Sequence, residues 1–524
     1  MILGDPGNAG GGAGTTLDDI LRLNAARRPD AIALIDPPNR AAFADGEPRQ
    51  LTYAQVDRMV SAIAQRLRDM ELPADSIVAT QFPNTAESVL ALLGIMRAGM
   101  IAAPLPMLWR HADCVAALSR IGTKAVMSCA RIGATDHAAL AMQVAAAIFT
   151  VRYVCGFGPM PDAMPFDDLF DQVASGAAVS FTAERRDNPA LHIAAITFDT
   201  TPDGIVPVAR SHAELLAGGL PMLAESRLAP DSMLVSSMPA ASFAGIALTL
   251  VPWLLCGGTL RLHQPFDAVT LSAQLKEEPC DLAILPGSLA ARLAEAAVFA
   301  PPRRVKNILA FWRAPERLPL APAWPMPHVN LIDVAIFGEV GLCAVHRPEG
   351  RSAPIPSGKI RAPQGSPRAV IVADIARTPA GTIGFGGPMA PRHAFPPGAE
   401  QSFATYFRVG DDGTVDTGYP CSADPHTGAL AVTGPPAGLV SVGGYRFCMR
   451  DIQDVVTHTD DQASVAAFPD AFAGHRLAGA SRDRAAMRRT LAAIGLNPLI
   501  IRAFRDRIAP PSPVRWHDGF RSSR

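Results

Sequence analysis

The sequence predicts an α/β protein: a large N-terminal domain of mostly parallel sheets covered by helices, with a small β-barrel-like subdomain, followed by a small α+β C-terminal domain. Three observations predict it. Short apolar stretches of strand length alternate with helical patterns over residues 52–128 and again over 191–311, the texture of parallel strands joined by crossover helices. From about 354 to 434 the texture changes to short β-rich runs punctuated by Gly and Pro, such as GTIGFGG and GALAVTGPP, as expected of a small antiparallel barrel or sheet. Gly434-Pro435-Pro436 then sets off a compact tail, and a Pro- and Gly-rich linker between two cores marks a domain boundary. The expected division is a flexible tail at 1–14, a large domain at 15–434 and a shortened small domain at 435–524. With 524 residues, 49% apolar and 18% charged, the chain can bury more than one core.

The elements follow in order. A helix is expected over 52–70, where Val56, Met59, Val60, Ile63 and Leu67 recur at helical spacing and Thr52 with Gln55 forms a capping box. A strand follows at 76–82. The next helix should open at Asn84, with Glu87 three residues on, and stop at Gly99, because the left-handed residue after a helix is commonly glycine. Strands at 100–103 and 125–128 bracket a helical pattern near 115–121, and further strands are expected at 191–198, 233–237, 258–262, 282–285 and 307–311. The tail should hold a helix at 449–458, a strand at 464–468 and a helix at 483–494 ended by Gly495.

Composition excludes several classes. A net charge of −1 argues against a nucleic-acid or anionic-membrane partner. The eight cysteines are scattered without a CxxC pair, which points to a reduced, cytoplasmic chain. The first 14 residues lack the basic and apolar regions of a secretory signal. Between Asp231 and Arg261 lie 29 uncharged residues, but Ser236, Ser237, Pro239, Gly245, Pro252 and Gly257-Gly258 break them into a strand, a loop and a short helix, so no transmembrane span is expected. No GxSxG or HExxH occurs, no GxGxxG follows a strand, and Cys343 with His346 makes no metal-ligand set. Only four of the 47 basic residues are lysine, namely Lys124, Lys276, Lys306 and Lys359. The last 165 residues therefore carry no primary-amine side chain.

Residues 51–108, from LTYAQVDRMV to IAAPLPML, are followed by PWLLCGGTLRLHQPFD, DLAILPGSLAARLAE, FGEVG (337–341), VDTGYPCSADPHTGALAVTGPPAGLVSVGGYRF (415–447) and SVAAFPDAFAGHRLAGAS (464–481). In this order, over about residues 15–510, these segments resemble the adenylate-forming superfamily, the acyl-CoA synthetases and their relatives. The resemblance implies that carboxylate and ATP give acyl-adenylate and pyrophosphate, with transfer to a thiol, usually coenzyme A. It also implies a mobile small domain that brings a lysine to the site. Mg²⁺ and ATP are the implied cofactors of a working enzyme, coenzyme A a further candidate, and a small carboxylic acid or an acyl-CoA the implied partner.

Carried over residue by residue, the resemblance places Glu339 as the catalytic magnesium ligand and Thr200, Thr201 and Gly204 in the phosphate loop. Ala335, Gly338 and Tyr419 fall at nucleotide-binding positions, and Ser242, Trp312 and Arg313 in the substrate pocket. Most of these positions depart from the family pattern. The loop reads Asp199-Thr200-Thr201-Pro202-Asp203-Gly204, with Val206 at the lysine position. Asp203 replaces a glycine, and Pro202 has no N–H to give a phosphate. A carboxylate about 5 Å from a phosphate is repelled by roughly 3 kcal/mol per unit charge at an effective dielectric of about 20, whereas Pro-Asp-Gly is favoured turn chemistry. Ala335 replaces the aromatic residue that stacks on adenine, Gly338 a threonine, Tyr419 the aspartate on the ribose, and Pro435 the hinge arginine. Trp312 and Arg313 replace two glycines and should fill space that a nucleotide or acyl chain would occupy. The terminal Gly-Lys segment is missing, and Arg515 is the nearest late cation.

The sequence therefore predicts an acyl-CoA synthetase-like protein whose ATP chemistry is impaired or lost. The alternative is a catalytically inactive scaffold that binds a protein partner or an acyl or CoA ligand.

Overall fold

The computed structural model describes residues 14–505 except 177–178, 180, 182–186, 265, 278, 302–304, 346, 348–349, 363–368 and 392–408. The expected tail at 1–14, apart from its last residue, His346 and Arg515 lie outside the described residues.

Two large sheets carry the α/β part. An eight-stranded sheet has five strands in parallel register at its centre, from Asn330–Phe337 through Val305–Trp312, Cys280–Pro286 and Met233–Ser236 to Thr259–Leu262. Ile32–Ile35 continues it in parallel, and antiparallel strands Gly341–Val345 and Gln50–Thr52 close its edges. A seven-stranded sheet is parallel through Ile101–Pro104, Ile77–Gln81, Ala125–Cys129 and Tyr153–Phe157, and ends in the antiparallel hairpin Ile193–Thr201/Gly204–Ser211. The alternation of apolar strands and helices is thus realised as two sheets rather than one.

The helix over Tyr53–Asp69 carries the expected capping box, Thr52 Oγ1 accepting from Gln55 N and Gln55 Oε1 from Thr52 N. The next helix is Ala86–Arg97, with Thr85 at the N-cap position but making no side-chain cap bond, and Gly99 takes a left-handed φ of +72° behind it. Asn84 does not start that helix. Its side chain donates instead to Ser236 O at 3.0 Å and His263 O at 3.3 Å, tying the two sheets together, while Glu87 is drawn into a buried ion pair with Arg40 at 2.7 Å. The helix expected near 115–121 begins earlier, at His111–Leu118. In the uncharged stretch, strand Met233–Ser236 leads into helical turns from Phe243 to Cys256, including a π segment at Ile246–Leu250, and back into strand Thr259–Leu262. This segment is buried between the sheets, and no described helix is long and apolar enough to cross a membrane.

Five antiparallel strands, Gly358–Ala362, Val370–Arg377, Thr382–Gly386, Val415–Ala423 and Leu430–Val432, form the β-rich unit. A bridge from Ile355 to Leu430 brings the approach to the first strand back against the last, so the sheet curls towards closure. A further sheet pairs Tyr445–Cys448, Leu439–Val442, Gly474–Ala480 and Ser464–Asp470, packed by helices Met449–Thr459 and Arg484–Ile494 around Phe447, Ile452, Val456, Leu491 and Phe504. Gly495 ends the last of these helices at φ +79°.

Candidate active site at the junction with the C-terminal unit

The carboxyl ends of parallel strands open onto a crevice, the usual place for a ligand in open α/β sheets. Here the ends of Cys280–Pro286, Val305–Trp312 and Asn330–Phe337 face the C-terminal unit across a cavity of about 600 Å³. The C-terminal unit contributes Ser441, Gly443–Arg446 and 471–474. It is held in place by Leu108 N donating to the Tyr445 hydroxyl at 3.1 Å, Ser288 Oγ to Phe472 O at 2.9 Å, and Arg450 Nη2 to Pro202 O at 2.6 Å.

Residues 199–204 form the tip of a tight hairpin, with Thr201 opposite Gly204 and Gly204 at φ +100°. The N–H groups of residues 200 and 203 and the Thr201 hydroxyl are spent locally. Thr200 N donates to Asp199 Oδ1 at 2.8 Å and Asp203 N to Thr201 Oγ1 at 3.2 Å, while Thr201 Oγ1 donates to Gly204 O at 3.1 Å. Pro202 has no N–H. Val206 is the third residue of the returning strand, opposite Asp199, and is buried.

Asp199 is the hub of the site. Its Oδ1 accepts from Arg446 Nη1 at 2.7 Å, and its Oδ2 accepts from Glu339 N at 2.8 Å. Burial works against the charge on Arg446, but Asp199 and then Tyr419 outweigh it and raise its proton affinity. Arg446 Nη2 also donates to the Tyr419 hydroxyl at 2.9 Å. Gly338 makes the approach of Asp199 possible, since it holds φ +57° and a Cβ there would sit 2.2 Å from Asp199 Oδ2. Neither Asp199 nor Arg446 was among the residues the sequence singled out. The one signal was a carboxylate closing the apolar strand AAITFD, with an arginine beside the glycine pair of GGYR.

Glu339 lies against the start of the helix at Phe243, whose N–H donates to Oε2 at 2.6 Å. Burial, with the Asp199 charge adding to it, pushes its carboxyl up to about 7. Arg210 lies beneath, donating to the carbonyls of Glu339 and Val340 and stacking on the Phe243 ring at 3.9 Å. Ser242 caps the same helix, its Oγ accepting from Gly245 N at 3.0 Å and from Arg313 Nη2 at 2.8 Å. Trp312 packs against Gly287, where a Cβ would meet its ring at 2.1 Å, and its Nε1 donates to Asp333 Oδ1 at 2.7 Å. Trp312 and Arg313 both line the cavity, which stays open beside them.

The structure therefore gathers Thr200, Ser242, Trp312, Arg313, Gly338 and Glu339 around one cavity. Ala335 and Tyr419 are fully buried behind its wall, and Thr201 and Gly204 stand at the hairpin tip outside its lining. The four lysines are also absent from the lining.

Two helix-covered sheets, a curled β subdomain and a C-terminal unit closing on a cavity at the strand ends define the class of adenylate-forming scaffolds. The AMP-binding enzyme family profile matches residues 21–315, more than half of the chain, and this protein belongs to that family. Among solved structures, the amide bond synthetase McbA from Marinactinospora thermotolerans aligns over 93% of this chain and 94% of its own, with a TM-score of 0.68 at 17% identity. The 2-hydroxy-7-methoxy-5-methyl-1-naphthoate–CoA ligase of Streptomyces carzinostaticus is 27% identical over 179 residues, covering 34% of this chain and 30% of the ligase. The beauvericin nonribosomal cyclodepsipeptide synthetase of Beauveria bassiana is 36% identical over 91 residues, which is 17% of this chain and 2% of that much longer protein.

The family uses ATP and Mg²⁺. The residues at this site do not fit that pair as they stand. Both Asp199 oxygens and Glu339 Oε2 are engaged, and the Glu339 carboxyl is half neutral near pH 7. Among the described residues no group of three metal-ligating side chains occurs. Mg²⁺ in such sites relies on phosphate oxygens as well as carboxylates, and the hairpin has no N–H to spare for them at 200, 202 or 203.

Proposed function

We propose that this protein descends from carboxylate–CoA ligases and binds a small carboxylic acid or acyl ligand in the interdomain cavity, with formation of the acyl-adenylate impaired or lost. The observation that carries this reading is the Asp199–Arg446 ion pair at the tip of the phosphate-loop hairpin. In an ATP site this place asks for positive charge and free N–H groups directed at phosphates. Here the guanidinium of Arg446 is neutralised by a carboxylate of the chain itself, and the position of the family's lysine is the buried Val206. Losing one such donor typically costs about 10² to 10³ in rate, and several are replaced. The reading treats 15–434 and 435–524 as the two domains between which the ligand lies.

Titration of the purified full-length chain with Mg-ATP by calorimetry, alongside carboxylate-dependent pyrophosphate exchange over a broad acid panel, tests it. Neither ATP binding in the micromolar range nor exchange is expected. ATP binding together with exchange would restore the working ligase, with Glu339 as its magnesium ligand.

A further inference from the structure

We propose that Arg313, held by Ser242, is the anion anchor of the interdomain cavity and selects a ligand with one oxyanionic end and an apolar body. The proposal rests on the reading above that the cavity still receives a ligand. Arg313 follows directly on strand Val305–Trp312, and its stem packs over Gly444, where a Cβ would come within 3.1 Å of Arg313 Cδ. Among the described residues the guanidinium makes one hydrogen bond, Nη2 to Ser242 Oγ at 2.8 Å. Ser242 is itself fixed as the cap of the helix at Phe243, so the guanidinium is held on a rigid element.

No carboxylate among the described residues forms an ion pair with Arg313. The two nearby acids are committed elsewhere: Asp199 to Arg446, and Glu339 to Phe243 N–H. Burial lowers the proton affinity of Arg313, Glu339 acts in the opposite direction, and Arg446 adds repulsion. A half-buried cation without a carboxylate partner gains from an anion brought in from outside, and a guanidinium fork can hold an oxyanion bidentately. Part of the wall is apolar: Trp109 and Phe198 pack with ring centroids 5.7 Å apart, beside Leu289, Phe311 and Ile336, while His263, Gln264, Arg317 and Arg446 also line the cavity. About 600 Å³ suits a small organic molecule.

The test is calorimetric titration of the full-length protein with 4-phenylbutyrate and octanoate, each against its primary amide. The acids are expected to bind at least about tenfold tighter than the amides, and Arg313→Met to weaken acid binding by about 10- to 100-fold with amide binding unchanged. Arg313→Lys should recover part of the acid preference, which a purely packing role for Arg313 would not produce. Ser242→Ala gives a second route should Arg313→Met not fold, and is expected to lower the acid preference. Equal affinity for acid and amide, or binding of none of the four probes, would overturn the proposal. Pyrophosphate exchange, by contrast, would overturn only the loss of ATP chemistry and leave the acid-over-amide preference standing.

Discussion

Arg446 Nη1 lies 2.7 Å from Asp199 Oδ1, joining the glycine loop of the C-terminal unit to the 199–204 hairpin across 247 residues of sequence. Both side chains are largely buried. Asp199 also receives Glu339 N–H and Thr200 N–H, so the pair pins three segments of the site at one carboxylate.

Removing one partner of a buried ion pair leaves the other uncompensated, at a cost of about 3 to 5 kcal/mol. Arg446→Met is expected to lower stability by that order and to loosen the C-terminal unit. Hydrogen exchange at 441–446 and chemical denaturation read both effects. The double variant with Asp199→Asn should lose markedly less than the sum of the two single variants. Strict additivity would show that the pair does not couple the two units.

Gly338 is required twice over, by its left-handed backbone and by the carboxylate beside it. Gly338→Ala is expected to cost about 2 to 4 kcal/mol from backbone strain and overpacking and to displace Asp199 from Glu339 N–H. A thermal midpoint equal to that of the parent protein would contradict the geometry.

Glu339 titrates near 4.5 in the unfolded chain and near 7 when buried beside Asp199. Between these values the native state holds the extra proton. The stability this gives is full below about pH 4.5 and is lost as pH rises to about 7. Relative to Glu339→Gln, which keeps an acceptor for Phe243 N–H, the wild type should lose on the order of 3 kcal/mol across that window. Urea unfolding of both proteins at pH 5 and pH 8 measures the difference. A constant gap between them would mean that Glu339 titrates normally.

Val206 occupies the position at which the resemblance expects a lysine, yet it is buried two residue pairs from the hairpin tip, opposite Asp199. Val206→Lys should destabilise the fold by several kcal/mol, because it buries an ammonium whose cross-strand neighbour, Asp199, is already paired with Arg446. Mg-ATP titration of this variant is expected to show no gain in binding. A gain without loss of stability would show that the strand can turn the side chain outwards.

Much of the architecture was legible in advance because it rests on local rules. The Thr52–Gln55 capping box, the glycine stop at Gly99 and the alternation of strands and helices each depend on residues a few positions apart. Asn84 shows where local rules failed. Its cap chemistry was sound in isolation, but bonds to Ser236 and His263 from the other sheet claimed the side chain, and Thr85 took the helix start. The candidate site was legible in part for the same reason. Ser242, Trp312, Arg313, Gly338 and Glu339 could be placed by motif order, whereas Ala335 and Tyr419 lie behind the wall because strand alternation and the Arg446 contact turned them inwards.

By itself the sequence determined the fold class, the order of the elements and the valine at 206, where the resemblance expects a lysine. Only the tertiary structure decided what stands in its stead. Charge compensation depends on distance through space, and no spacing along the chain says that Arg446 meets Asp199 or that Arg313 faces the cavity with no carboxylate of its own. Burial then sets the energetics, since the same carboxylate that would be ordinary in water becomes, at Glu339, a group that holds its proton to about pH 7.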